Sequence, residues 1–298
     1  MTRWWMGRTA AAVTWILMLM VAATLAAPTD DEPRLDWKDG PMTAALGDVA
    51  EIALPAGYRF LDADGTRKLM ELTQNPVSGS ELGAIVPIQD GDEDSWLVIF
   101  EFNPVGYVKD DEKASLDADA LLTSIREGTE QANEERRKRG WAELNITGWQ
   151  EKPFYNQETH NLEWAIRGES SGHQVVNYST RILGRKGVMN ADLVLPPEML
   201  EGVAPSYKKL LGAMSFRQGE RYAEFRPGDK LATYGLAALV AGGAGAVAAK
   251  TGLLAKFWKL LVAGAVAAAA AVRKVFAKLF GRRAPGDPAA PPESPPLG

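Results

Sequence analysis

Nineteen consecutive residues without a charge, Leu231 to Ala249, constrain this chain more than any other feature. Lys230 and Lys250 bound the run. As a helix rising about 1.5 Å per residue it reaches roughly 28 Å, close to the hydrocarbon thickness of a bilayer. In lipid every backbone group must bond internally, so a helix is the workable form. The sequence therefore predicts a transmembrane helix over 231–249. Ala238, Gly242 and Ala246 lie four apart on one stripe of it. Small residues let helices approach closely in lipid. Homo-oligomerisation through these three residues and a plain small-residue anchor both fit the pattern.

The charge on the two sides of this run is unequal. From Leu231 onward eight basic residues face only Asp287 and Glu293, a net +6. The first 27 residues carry Arg3 and Arg8 and no acid. Within a total of −5, residues 28–230 therefore hold −13. So acidic a body repels nucleic-acid phosphate, and no nucleic-acid partner is expected. The basic end suits the anionic cytoplasmic leaflet. Residues 1–27 read as a secretory signal: a positive start, an uncharged run from Ala10 to Leu25, and Thr24-Leu25-Ala26 as a small-x-small cleavage signature. An uncleaved N-terminal anchor is the competing reading. With the positive-inside rule, the body is expected outside the cytoplasm and the C-terminus inside, in a single pass through the cytoplasmic (inner) membrane.

The remaining boundaries follow from composition. Residues 28–42 read as a polar linker, and 43–229 as an extracytoplasmic domain. Leu260 to Val272 is apolar but short for a span, so 250–283 reads as a basic membrane-associated helix. Six prolines make 284–298 a disordered tail. The chain has no cysteine and two histidines, which excludes disulfides, thiolate chemistry and a multi-histidine metal site.

Within the body, Ala50–Leu54 alternates as a strand. Trp96 to Phe102 is apolar on both faces, as a central strand would be. Asp117 to Arg139 predicts a helix packed through Leu121, Leu122, Ile125, Thr129 and Ala132. Ser115 or Asp117 can cap its start and Gly140 its end. Four strands follow over 146–151, 162–167, 174–183 and 188–195, joined by short turns, and a helix begins at Pro205. The expected fold is α+β, an antiparallel meander with packed helices and a C-terminal transmembrane helix. Trp96, Trp141, Trp149 and Trp164 are expected in its core.

Chemical candidates are few. Asp90, Asp92, Asp94, Trp96, Val98 and Glu101 have EF-hand spacing, but Ser95 stands where the loop needs glycine and a strand follows where it needs a helix. The Asp110–Glu112 acidic cluster precedes the long helix, where carboxylates favour the dipole; acids so clustered also suit acid–base work. His160 and Glu163, with Tyr155 nearby, form a His-x-x-Glu pair that suits a histidine base, but with His160 in a hairpin turn and Glu163 on the following strand a polar turn is the plainer reading. No Gly-x-Ser-x-Gly elbow accompanies them. Gly243 to Ala248 formally fits a dinucleotide fingerprint but lies inside the membrane run. No catalytic residue, metal or cofactor is assigned. Two function classes remain: an envelope binding, sensing or scaffold module, and an envelope hydrolase using the His160/Glu163 region or the acidic cluster.

Six stretches carry a resemblance to a known family: GYVKDDEK at 106–113, LDADALL at 116–122, GWQEKPFY at 148–155, THNLEWA at 159–165, LGRKGV at 183–188 and GDKLATYGLAALV at 228–240. In these the chain resembles the uncharacterised bacterial membrane-anchored family known as domain of unknown function 2167, over roughly residues 40–257. The resemblance implies a leader, an extracytoplasmic body and a C-terminal anchor. It implies no activity and transfers no catalytic residue. The order of strands and helices is also similar to the antiparallel fold of the photosystem oxygen-evolving subunit P family.

Overall fold

Short antiparallel connections and alternating apolar strands build the centre of the molecule. The structure is a computed structural model and describes residues 35–88, 96–113 and 116–242. The signal, the EF-hand-like acids 90, 92 and 94, the dinucleotide-like run, the basic helix and the proline-rich tail lie outside the described residues.

An eight-stranded antiparallel sheet holds β1 (Lys38–Asp39), β4 (Tyr58–Asp62), β5 (Glu81–Pro87), β6 (Leu97–Asn103), β10 (Val188–Leu195), β9 (His173–Leu183), β8 (Asn161–Ser170) and β7 (Asn145–Asn156), in that spatial order. A second sheet of β11 (Met214–Phe216), β3 (Ala50–Leu54) and β2 (Met42–Leu46) packs against it. The fold is thus antiparallel α+β, with β6 in the middle as its two apolar faces require. β1 lies within the stretch read as linker, and its Lys38 pairs with Phe60.

The two faces of the large sheet differ. On one, Val98 and Phe100 of β6, Ala191 and Leu193 of β10 and Tyr178 of β9 meet the small sheet and helix α3 (Leu200–Gly212). α3 starts before Pro205, after a 3-10 turn at Pro197–Met199, so the proline lies inside the helix rather than at its first turn. The Tyr207 hydroxyl pins α3 to the sheet, donating to Thr180 Oγ1 at 2.9 Å and to the Ala191 carbonyl at 3.0 Å.

The other face carries α1 (Ala63–Leu72), α2 (Ala118–Lys138) and α4 (Leu236–Ala241). Asp117 caps α2, accepting from the Asp119 and Ala120 amides. The buried stripe of α2 runs through Leu121, Ile125 and Thr129 but then turns to Asn133 and Arg136 instead of Ala132. There Asn133 exchanges two hydrogen bonds with the Leu144 backbone, at 2.8 and 2.9 Å, so polar contacts replace apolar ones at that end. Trp96 and Trp164 are buried as expected; Trp141 and Trp149 are half-buried. Arg136 and Arg139 lie over the Trp141 ring.

The expected continuous helix from Leu231 does not form over the described residues. Leu231 to Gly235 is irregular, α4 has six residues, and Gly242 ends it in the left-handed region. Among the described residues no helix is long and apolar enough to cross a membrane.

Candidate functional site

All six sequence stretches that carry the family resemblance send residues into one apolar cluster. Val108, Leu121, Leu162, Trp164, Leu183, Val188, Leu236 and Leu239 are buried there together, with Tyr107, Trp149 and Tyr155 at its edge. This corner is the seat of α4, and Leu236, Leu239 and Val240 fill it. Ala238, on the same helix, is only 1% exposed. Two members of the expected self-association stripe are therefore engaged in the body, Ala238 by burial and Gly242 by ending the helix. Ala246 lies outside the described residues.

The chain before α4 is sewn onto the body by its backbone. The Tyr107 amide donates to the Lys230 carbonyl at 2.8 Å, and the Ala232 amide to the Tyr107 carbonyl at 2.9 Å. Gly106 adopts a positive φ of 100°, and a Cβ there would sit 2.5 Å from the Lys230 carbonyl, so only glycine permits this approach. Asp229 accepts two hydrogen bonds of 2.7 Å from the Arg185 guanidinium, and a third of 2.7 Å from the Arg226 amide. These contacts, Arg185 foremost, hold its carboxyl down to about 2.

The acidic cluster divides its work. Glu112 turns to α4 and accepts from the Ala237 amide at 3.3 Å. A carboxylate there favours the positive end of the helix. Gly235 lies close beside it: a Cβ there would sit 2.6 Å from the carboxylate, which would have to turn aside. Asp110 pairs with Lys113 at 3.4 Å and faces the Tyr155 hydroxyl. Burial, reinforced by Asp110, pushes the Tyr155 phenol well above its ordinary range. Asp111 is exposed.

His160 and Glu163 are not brought together. His160 occupies the left-handed region of the β7–β8 turn, with φ 56°. Its Nδ1 lies 3.1 Å from the Tyr155 hydroxyl, and its ring is 4.6 Å from that of Tyr222. Glu163 is paired in register with Thr180, on the opposite face of the sheet, where it accepts from Tyr178 at 2.7 Å. The structure instead joins His160 to Asp110 through Tyr155, two regions that the sequence left separate.

A second polar feature was not foreseen. Glu81, Glu101, Asn190, Asp192, Arg181 and Ser179 form a buried row on the helix-facing side of the large sheet. Asp192 Oδ1 accepts from Arg181 at 2.9 Å and from Ser179 at 2.6 Å. The Arg181 guanidinium lies 4.8 Å over the Trp164 ring. Glu101 is 1% exposed and accepts from Ser78 Oγ at 3.2 Å. Burial, with the charges of Asp192 and Glu81 nearby, pushes its carboxyl up to about 7. Asn190 Oδ1 and Trp164 Nε1 are buried without hydrogen-bond partners among the described residues. The signal available in the sequence was the charge at inward positions, Glu101 after Leu97 and Ile99, and Asn190 and Asp192 inside an apolar strand.

An open cleft of about 380 Å³ lies elsewhere, between the 47–49 turn, the 78–80 loop and Phe102. It includes neither His160 nor the acidic cluster. Among the described residues no group of three His, Asp or Glu side chains is placed to hold a metal ion. Glu101, the last EF-hand position, belongs to strand β6.

Three solved structures are similar to this chain at low identity. The solution structure of the cyanobacterial PsbP protein from Synechocystis sp. PCC 6803 is 10% identical, with a TM-score of 0.36, over 64% of this chain and 98% of that one. The crystal structure of the Saccharomyces cerevisiae Ran-binding protein Mog1p is 11% identical, with a TM-score of 0.31, over 65% of this chain and 100% of that one. The protein of unknown function PA94 from Pseudomonas aeruginosa is 12% identical, with a TM-score of 0.24, over 59% and 96%. Among curated proteins none matches. The family described as "protein of unknown function (DUF2167)" matches residues 38–273, every stretch that converges on the α4 seat included, and the chain belongs to that family.

Proposed function

We propose that the protein is a binding or scaffold module of the bacterial cell envelope, held at the cytoplasmic membrane with its body outside the cytoplasm and its C-terminus inside. One observation supports this reading above the others: the segment leading to the apolar C-terminus is built into the body at the α4 seat. Such a joint holds the chain to the body up to residue 242, where the uncharged stretch 243–249 begins. A crossing by 231–249 requires α4 to leave that seat. With α4 docked, attachment rests on the apolar residues beyond Gly242. Self-association through Ala238, Gly242 and Ala246 likewise requires α4 to be released.

The competing reading is an envelope hydrolase, and the Asp110–Tyr155–His160 chain is its best support. It offers a base, His160, and a hydroxyl, Tyr155, that orients it. His160→Asn abolishing turnover of chromogenic esters by the purified protein would favour it.

The absence of cysteine makes the topology directly testable, since any introduced thiol is unique. Lys68→Cys on exposed α1 and Ser294→Cys in the tail are treated with a membrane-impermeant maleimide in cells with a permeabilised outer membrane. Labelling of Lys68→Cys alone is expected. Equal labelling of both overturns the single-pass reading.

A further inference from the structure

Large apolar side chains exposed singly are ordinary on a protein surface, but two that share one support form a patch. Phe225 is 37% exposed and Leu231 is 44% exposed. Both rest on Tyr107: the Phe225 ring lies 4.3 Å from the Tyr107 ring, and Leu231 bridges to the Tyr107 backbone. Tyr107 in turn stacks on Tyr222, at 4.4 Å and 12°. Lys109, Arg226 and Lys230, within two residues of Tyr107, Phe225 and Leu231 in the chain, are all exposed, and Lys230 Nζ donates to the Pro104 carbonyl at 3.4 Å.

The acids around the patch are turned to other partners. Asp229 is held by Arg185 and Glu220 by Lys186. Glu224 accepts from the Gly219 and Arg221 amides, and Glu112 from Ala237. Asp110 pairs with Lys113, which leaves Asp111 exposed. An acidic body thus presents cations around an aromatic and aliphatic pair at one place. Beyond Gly242 the chain runs into the uncharged stretch 243–249. Phenylalanine, leucine and flanking lysine or arginine make up the composition that settles into the headgroup boundary of a bilayer.

We propose that this face, Phe225 and Leu231 ringed by Lys109, Arg226 and Lys230, docks on an anionic lipid surface. The proposal rests on the membrane-held reading above and adds the posture of the body. The aromatic and aliphatic side chains enter the headgroup boundary. The three cations meet lipid phosphate, and the rigid joint at Asp229–Arg185 keeps them turned to it.

The test uses the full chain reconstituted into vesicles of phosphatidylcholine with phosphatidylglycerol, or of phosphatidylcholine alone. A fluorophore is attached at Thr233→Cys beside the patch, or at Lys208→Cys on α3 as a control. Nitroxide-bearing lipid should quench the label at 233 and spare that at 208. Lys109→Glu, Arg226→Glu and Lys230→Glu should each weaken the phosphatidylglycerol-dependent part about fivefold, and Phe225→Ser should reduce quenching in both vesicles. Protein that floats with vesicles while both labels stay equally unquenched overturns this surface and leaves the anchored reading standing. Protein that floats with no vesicle overturns both. Crosslinking of two copies through position 233 without lipid quenching assigns the face to a second copy and overturns the lipid surface.

Discussion

The two faces of the large sheet are covered by different chemistry. Toward the small sheet and α3 the contacts are mainly apolar, and the buried hydroxyls there are paired, Tyr207 with Thr180 and Tyr178 with Glu163. Toward the helices the same strands carry three carboxylates, one guanidinium and two polar atoms without partners. One strand serves both, since Ala191 and Leu193 point one way and Asn190 and Asp192 the other. Stability on the first face comes from packing. On the second it depends on keeping charges matched, because a buried ion left alone is costly.

Breaking each face in turn measures that contrast. Phe100→Ala opens a cavity on the apolar side and should cost about 3 to 5 kcal/mol in urea unfolding. Asp192→Ala should cost nearly as much, about 3 kcal/mol or more, for another reason: Arg181 is left buried without its partner. Replacing both, with Arg181→Met and Asp192→Leu, should recover most of that loss, whereas no second substitution of this kind rescues Phe100→Ala. A cost below about 1 kcal/mol for Asp192→Ala would mean that the row is solvated and the faces alike.

Glu101 sharpens the comparison through pH. The unfolded chain ionises this residue near 4.5 and the folded chain near 7, so the folded state holds the extra proton between them. Stability should therefore fall as pH rises from 4.5 to 7 and level off above, by roughly 3 kcal/mol in all. Glu101→Gln removes the titrating group, and its melting profile should lack this fall; a variant that keeps the parent's slope would place the titration elsewhere. The smallest effect belongs to the α4 seat. Glu112→Gln keeps the acceptor and removes the charge at the helix start, and should cost about 0.5 kcal/mol, less in high salt.

Periodicity made much of the sheet legible. β10 runs over the expected 188–195 because Gly187 and Pro196 punctuate an apolar run, and β3 matches 50–54 for the same reason. β2 and β5 were missed: MTAAL is built of small residues, and ELGAIVP carries a glycine and a proline that mask its alternation. His160 and Glu163 fall in a turn and on the strand after it, as read from the sequence, and their separation has a geometric reason. Three residues apart on a helix are neighbours, but along a strand the same spacing points to opposite faces. Over 231–242 the run forms only the short helix α4, because hydropathy reports that residues avoid water, not whether lipid or protein shields them. Leu236 and Val240 find Trp164 and Leu121 instead.

The α4 seat also sets an order of events during folding. Its contacts join residues far apart in the chain: Tyr222 reaches the Val108 carbonyl across 114 positions, and Ala237 reaches Glu112 across 125. Closures of that length are slow, and during synthesis this one must wait until residue 242 has emerged. Until then Leu121, Ile125 and Trp164 lack their cover. A nascent or truncated chain ending near Gly228 carries an open apolar seat shaped for a short helix. Residues 229–242 thus act as the closing step of the body, and a chain halted before them exposes apolar surface of the kind that aggregates.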